Sequence, residues 1–127
     1  MKGIGVDIVS ISRIESILSG DAGRAFQNKV FTKREQEYAA DHSDPLRYWA
    51  SRFAGKEAVF KAFKTEWEPA DLETDIEILG AGNKPVKVEV HGRFQQLLRE
   101  CRGEIQLSLS YEDDYAIAFA LIDQTFK

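Results

Sequence analysis

The sequence predicts an α+β fold, a mostly antiparallel sheet packed on one long central helix within a single domain, and three observations carry that expectation. Strand-like segments lie at both ends of the 127-residue chain: KGIGVDIV at residues 2–9, then EIQLSLS and DYAIAFALI at 104–122. Between them, Asp44-Pro45 supplies a helix cap and a first-turn proline, opening the longest helical pattern, Pro45 to about Lys64. No linker or internal repeat interrupts the chain, so residues 1–127 read as one domain.

In order, residues 2–9 read as a buried first strand with Asp7 as its anomaly, a carboxylate among Ile4, Val6, Ile8 and Val9. Ser10 or Ser12 can cap a short helix whose apolar positions Ile11, Ile14, Ile17 and Leu18 end at Ser19-Gly20. A second short helix covers Arg24 to Val30. Thr32-Lys33-Arg34-Glu35 is a capping box that starts a third, running to about Asp41. After the central helix come six acidic and no basic residues between Glu66 and Glu77, a loop leading into a strand at about Thr74 to Leu79. Residues 80–85, GAGNKP, are turn chemistry before a strand from Val86 to His91. A helix from about Gly92 to Arg102 gathers Phe94, Leu97, Leu98 and Cys101 on one side, and the last two strands join through Tyr111-Glu112-Asp113 as a hairpin.

With 43% hydrophobic and 30% charged residues the chain can bury a core, which excludes disorder and collagen. One cysteine cannot form an internal disulfide, and two histidines cannot build the usual Cys/His zinc cluster, so a reducing, cytoplasmic setting is expected. No apolar run reaches the roughly 18–20 residues of a membrane span. The net charge of −4 argues against nucleic acid as a partner but hides an asymmetry. Residues 1–64 carry +3 and residues 65–127 carry −7, so a basic face could meet an acidic partner.

On the central helix Ala50, Phe53, Ala54, Glu57, Ala58 and Lys61 share one stripe at three- and four-residue spacing. Glu57 and Lys61 alone could be a surface pair worth a few tenths of a kcal/mol. Joined by Asp7 in a cleft, the two carboxylates would suit Mg²⁺, which takes hard oxygen ligands, while the lysine neutralises a phosphate. Spacing leaves both readings open.

The chain resembles the 4′-phosphopantetheinyl transferases, most closely the small holo-acyl-carrier-protein synthase type. The resemblance runs through residues 3–9 (GIGVDIV), 31–35 (FTKRE), 52–62 (RFAGKEAVFKA), 75–78 (DIEI), 83–85 (NKP), 108–110 (SLS) and 114–118 (DYAIA), in the family's order. It implies a transferase that moves the 4′-phosphopantetheine arm of coenzyme A onto a serine of apo acyl carrier protein and releases adenosine 3′,5′-bisphosphate. By the same resemblance Asp7 and Glu57 hold Mg²⁺, Lys61 contacts phosphate, and Glu57 is the candidate to deprotonate the serine. Coenzyme A contacts fall to Lys61, Lys64, Thr65, Lys84, Pro85, Ser110 and Tyr111. Arg13, Arg24, Phe26 and Phe53 would dock the carrier, of fatty-acid, polyketide or peptide synthesis. The assembly implied is a homotrimer with coenzyme A between subunits.

Two departures keep a second reading open, an impaired relative that binds carrier protein without efficient transfer. The family's Gly-Thr-Gly turn is here Lys64-Thr65-Glu66, and Tyr111 stands at a common histidine position. A third reading, another Mg²⁺-dependent enzyme acting on phosphate esters, rests on the carboxylate pair alone. Cys101 reads as a small hydrophobe, Trp49 and Trp67 as packing, and His42 and His91 as lacking a second histidine or cysteine at metal-ligand spacing.

Overall fold

The computed structural model describes residues 3–80 and 85–124. The elements follow as β1 (Gly3–Ser10), α1 (Ile11–Ser19), α2 (Gly23–Val30), α3 (Lys33–Asp41), α4 (Pro45–Ala62), a single 3₁₀ turn (Glu73–Asp75), β2 (Ile76–Leu79), β3 (Lys87–Val90), α5 (Gly92–Glu100), β4 (Gly103–Glu112) and β5 (Tyr115–Gln124). The α+β class with antiparallel sheets on a long helix is as expected. One sheet has the order β1-β5-β4 and the other is the β2-β3 ribbon, both antiparallel. Among the described residues no helix is long and apolar enough to cross a membrane.

Local chemistry sets the helix starts. The Ser10 hydroxyl accepts from the Arg13 amide at the head of α1. Asp114, from the turn before β5, fixes that corner by accepting from the Ser10 and Ser12 hydroxyls and the Ser12 amide. Thr32 and Glu35 form the reciprocal capping box, Thr32 Oγ1 accepting from the Glu35 amide at 3.2 Å and Glu35 Oε1 from the Thr32 amide at 2.8 Å. Asp44 caps α4 with Pro45 in its first turn.

Small residues set the packing. Gly3 and Gly5 of β1 lie directly under the carbonyls of Ala62 and Ala58 on α4. Three of the inward positions of β5, Ala116, Ala118 and Ala120, are alanines and fully buried. Without bulky side chains between them, helix and sheet approach closely along their length.

This corrects the reading of β1 as a buried strand. Only its Gly3 and Gly5 face is buried, while Ile4, Val6 and Ile8 point outward and are exposed. A period of two makes that alternation unavoidable. Asp7 therefore shares its face with Gly3 and Gly5, away from Ile4, Val6 and Ile8.

A buried ion pair joins α3 to α4. Lys56 Nζ lies 2.8 Å from Glu35 Oε1, both side chains being at most 1% exposed. Lys56 also donates to the Ile76 carbonyl, and Glu35 Oε2 accepts from the Ile78 amide at 2.7 Å, so the pair ties both helices to β2. Its remaining hydrogen-bonding capacity is used, as a buried ion pair requires.

Candidate active site

Asp7 leaves β1 on the face that meets α4, and Lys61, in the last turn of α4, reaches back to it. Lys61 Nζ donates to Asp7 Oδ1 at 3.0 Å and to the Val6 carbonyl at 3.1 Å. The i, i+4 pair that spacing allowed between Glu57 and Lys61 is thus replaced by a pair between α4 and β1. Glu57, one turn earlier, has no ion pair among the described residues. Burial pushes its carboxyl up to about 7, and the nearby negative charges of Glu73 and Asp7 add to the shift against the opposing Lys61.

Glu73 was not anticipated. It comes from the 3₁₀ turn, its carboxyl is also pushed up by burial, and its Oε2 is buried without a hydrogen-bond partner. The acidic run from Glu66 to Glu77 was its only trace in the sequence, and a run does not say which member turns inward. Hard carboxylate oxygens of Asp7 and Glu57, with the unpartnered buried oxygen of Glu73 near Glu57, make a donor set that fits Mg²⁺.

The other candidates divide between two ends of α4. Lys64 and Thr65 follow directly on the Lys61 end. Pro85 and Tyr111 instead line a cavity of about 700 Å³ at the opposite end, with His42, Arg47, Tyr48 and Arg52. Ser110 lies on β4 opposite Ile117, outside that lining, and Lys84 lies outside the described residues. Arg47 and Lys61 are fourteen residues apart on α4, which at 1.5 Å per residue is about 21 Å.

The cavity gathers two guanidinium groups and two aromatic rings, with Asp44 ion-paired to Arg47 at 3.5 Å. Arg47 lies 4.9 Å from the Tyr111 ring centre and Arg52 lies 4.1 Å from that of Tyr48. Arg52 donates to Ser51 Oγ and the Gly80 carbonyl, while its buried Nε and the Tyr48 hydroxyl have no well-aligned hydrogen bond. Arg47 and Arg52 were missed as site residues. The available signal was an arginine on a helix buried almost all round, where a charge needs a purpose.

The docking candidates lie on α1, α2 and α4. Arg13 on α1 and Arg24 on α2 are exposed. Phe26 and Phe53 are half-buried, with ring centres 5.9 Å apart, and Phe53 stands one helical turn before Glu57.

A second acidic group lies elsewhere. Glu77, Glu89 and His91 place one ligand atom each within 4.8 Å of one another, so His91 does acquire partners that the sequence did not indicate. A guanidinium already fills the group: Arg34 reaches Glu77 at 2.5 Å and 3.1 Å and Glu89 at 3.2 Å, while Thr32 also donates to Glu77. Burial pushes the Glu77 carboxyl up, but these hydrogen bonds outweigh it and hold the group below the usual range.

The comparisons with known proteins agree on one family. The model of the 4′-phosphopantetheinyl transferase superfamily matches residues 3–120. A holo-[acyl-carrier-protein] synthase of Aquifex aeolicus is 42% identical over 120 residues, which cover 94% of this chain and 96% of that one. The crystal structure of the holo-[acyl-carrier-protein] synthase from Neisseria meningitidis superposes with a TM-score of 0.85 at 30% identity, covering 98% and 99% of the two chains. A Chronobacterium ammoniagenes ACPS-CoA complex superposes with a TM-score of 0.81 at 28% identity, covering 98% of each.

Proposed function

The chain belongs to the 4′-phosphopantetheinyl transferase superfamily, and from that premise we infer that it is a holo-[acyl-carrier-protein] synthase, residues 1–127 forming one transferase domain. It transfers the 4′-phosphopantetheine arm of coenzyme A to a serine of apo acyl carrier protein and releases adenosine 3′,5′-bisphosphate. The meeting of Asp7, Glu57 and Lys61 at the end of α4 is the observation that carries the assignment of the reacting site. The reaction takes place in the cytoplasm, where Cys101 stays reduced.

The serine oxygen attacks the β-phosphorus of coenzyme A, the bridging P–O bond of the pyrophosphate breaks, and the serine proton goes to a base. Such chemistry needs in-line positioning and charge neutralisation more than a covalent intermediate. Asp7 and Glu57 would hold Mg²⁺, which supplies charge neutralisation at the pyrophosphate when bound. Lys61, held on Asp7, places an ammonium where it can meet a phosphate oxygen. Glu57, directly or through a water, is the candidate proton acceptor for the serine. Lys64 and Thr65 flank the same phosphates. Arg13, Arg24, Phe26 and Phe53 receive the acidic carrier protein, the arginines chiefly speeding encounter.

The two ends of α4 are reconciled by a homotrimer. Arg47, Arg52, Pro85 and Tyr111 of one copy hold the adenosine bisphosphate end of coenzyme A, while the carboxylates of the next copy act on its pyrophosphate. Support comes from the outer face of β1-β5-β4. Ile4, Val6, Ile8, Ile117 and Phe119 are 38–60% exposed there, and cross-strand pairing sets Val6 against Phe119 and Ile8 against Ile117. A contiguous apolar face of this kind marks an interface. Sedimentation at micromolar concentration is expected to show a trimer, and Val6→Lys a monomer with transfer lost. A monomeric wild-type chain that still transfers would remove the shared site.

Intact-mass spectrometry tests the activity directly. Apo acyl carrier protein incubated with this chain, coenzyme A and Mg²⁺ is expected to gain one phosphopantetheine arm, and to gain none with Asp7→Ala. No gain across several carriers would favour the impaired relative.

A further inference from the structure

We propose that Arg93, on α5, is a positioning residue for coenzyme A: it clamps the loop after α4 so that Lys64 and Thr65 face the phosphates in a fixed geometry. The proposal rests on the reading that this turn contacts coenzyme A.

The turn is strained and needs holding. Lys64 has φ 56°, in the left-handed region that favours glycine and that crowds the Cβ of any other residue. Four acidic residues lie between positions 66 and 73, and their mutual repulsion would open a loop left to itself. Arg93 answers both. Its Nε donates to Asp71 Oδ1 at 3.0 Å, and one terminal nitrogen donates to Asp71 Oδ2 at 2.6 Å and to the Glu66 carbonyl at 2.9 Å. The other donates to Thr65 Oγ1 at 3.1 Å. Glu68 adds an ion pair at 3.4 Å.

One planar guanidinium thus gathers residues 65, 66, 68 and 71, a task its forked donors suit and a lysine could not perform. The Asp71 side chain is only 3% exposed, so this is no loose surface pair. Trp67 closes the loop from the other side, stacked on Phe60 at 4.2 Å with an interplanar angle of 8°. The Thr65 oxygen accepts from Arg93, and its hydroxyl hydrogen, which donates to the Glu66 carbonyl only at 3.5 Å, can turn to an anion. Lys64 is held within three residues of Lys61, giving two ammonium groups at one end of α4.

The test is steady-state kinetics of the full chain, well below its melting temperature, with coenzyme A and carrier protein varied separately. Arg93→Gln is expected to raise the KM for coenzyme A about tenfold, as loss of one charge-assisted hydrogen bond would, with kcat and the carrier KM within about twofold. Arg93→Lys should fall between. Asp71→Asn approaches the clamp from its other side and replaces Arg93→Gln should that variant fold poorly. Lys64→Ala should also raise the coenzyme A KM, and the double variant should be less than additive.

If Arg93→Gln and Asp71→Asn lower stability but leave the coenzyme A KM unchanged while Lys64→Ala raises it, the clamp is merely structural and the proposal fails. If Lys64→Ala and Thr65→Val leave it unchanged as well, the reading of the turn as a coenzyme A contact falls first and the proposal with it.

Discussion

Glu57→Gln is expected to lower transfer by about a thousandfold, the scale of losing a metal ligand or a general base, and yet to make the metal-free protein more stable at pH 8. The two effects share one cause. Burial, with Glu73 and Asp7 nearby, raises the Glu57 carboxyl from 4.5 to about 7, so the folded chain binds this proton more tightly than the unfolded chain does. For a group shifted upward, the stabilisation is complete below about pH 4.5 and is lost as the pH rises through about 7. Above that, the wild type must hold a poorly solvated negative charge that glutamine does not carry. The melting temperature of Glu57→Gln should therefore exceed that of the wild type at pH 8, with the gap closing towards pH 4.5.

Mg²⁺ should reverse the order by stabilising the wild type and not the variant. Its affinity should rise with pH through about 7, because the cation competes with the proton on Glu57. Melting curves with and without Mg²⁺ across this range read all of it without an activity assay. Equal melting temperatures at every pH would mean that Glu57 is solvated and unopposed, contrary to its described surroundings.

The second large effect is on stability. A Cβ added at Gly5 would stand 2.0 Å from the Ala58 carbonyl oxygen and 2.8 Å from the Ala62 amide nitrogen, and at Gly3 it would stand 1.7 Å from the Ala62 oxygen. These are backbone atoms of a buried helix and cannot rotate aside. Gly5→Ala must push β1 off α4, at a cost of about 3 kcal/mol or more, a large part of the roughly 5–15 kcal/mol that holds a domain together. Gly20→Ala is the comparison, since its added Cβ meets nothing closer than 3.4 Å and should change stability by no more than about 0.5 kcal/mol. Urea denaturation compares them. Whatever Gly5→Ala protein folds should also lose transfer, because Asp7 rides two residues further along the displaced strand. A Gly5→Ala midpoint matching that of Gly20→Ala would show that β1 and α4 are not packed as described.

Elements whose signals are local were legible in the sequence. The capping box at Thr32 and Glu35, the Asp44-Pro45 start of α4 and the closing hairpin each depend on residues a few positions apart; the first two form where expected, and the hairpin forms with its turn at Asp113-Asp114, Tyr111 and Glu112 pairing as the end of β4. The proposed pairing of Asp7 with Glu57 was legible only through resemblance, since the two are fifty residues apart and spacing alone favoured a surface pair between Glu57 and Lys61.

What the tertiary structure decided is which side each residue takes. Lys56 and Glu57 are neighbours and equally charged in magnitude, but the helix turns about 100° between them. Lys56 is driven into the core against Glu35, while Glu57 is left at the cleft with Asp7 and Glu73. Likewise the alternation along β1 was visible, but not that its bulky face would be the outer one. That outcome follows from packing, because only glycine fits beneath the α4 carbonyls, and Ile4, Val6 and Ile8 must then face outward. Composition and periodicity thus determined the α+β class and the order of elements, while the partners of Asp7, Glu77 and Arg93 were set by the close approach of segments distant in the chain.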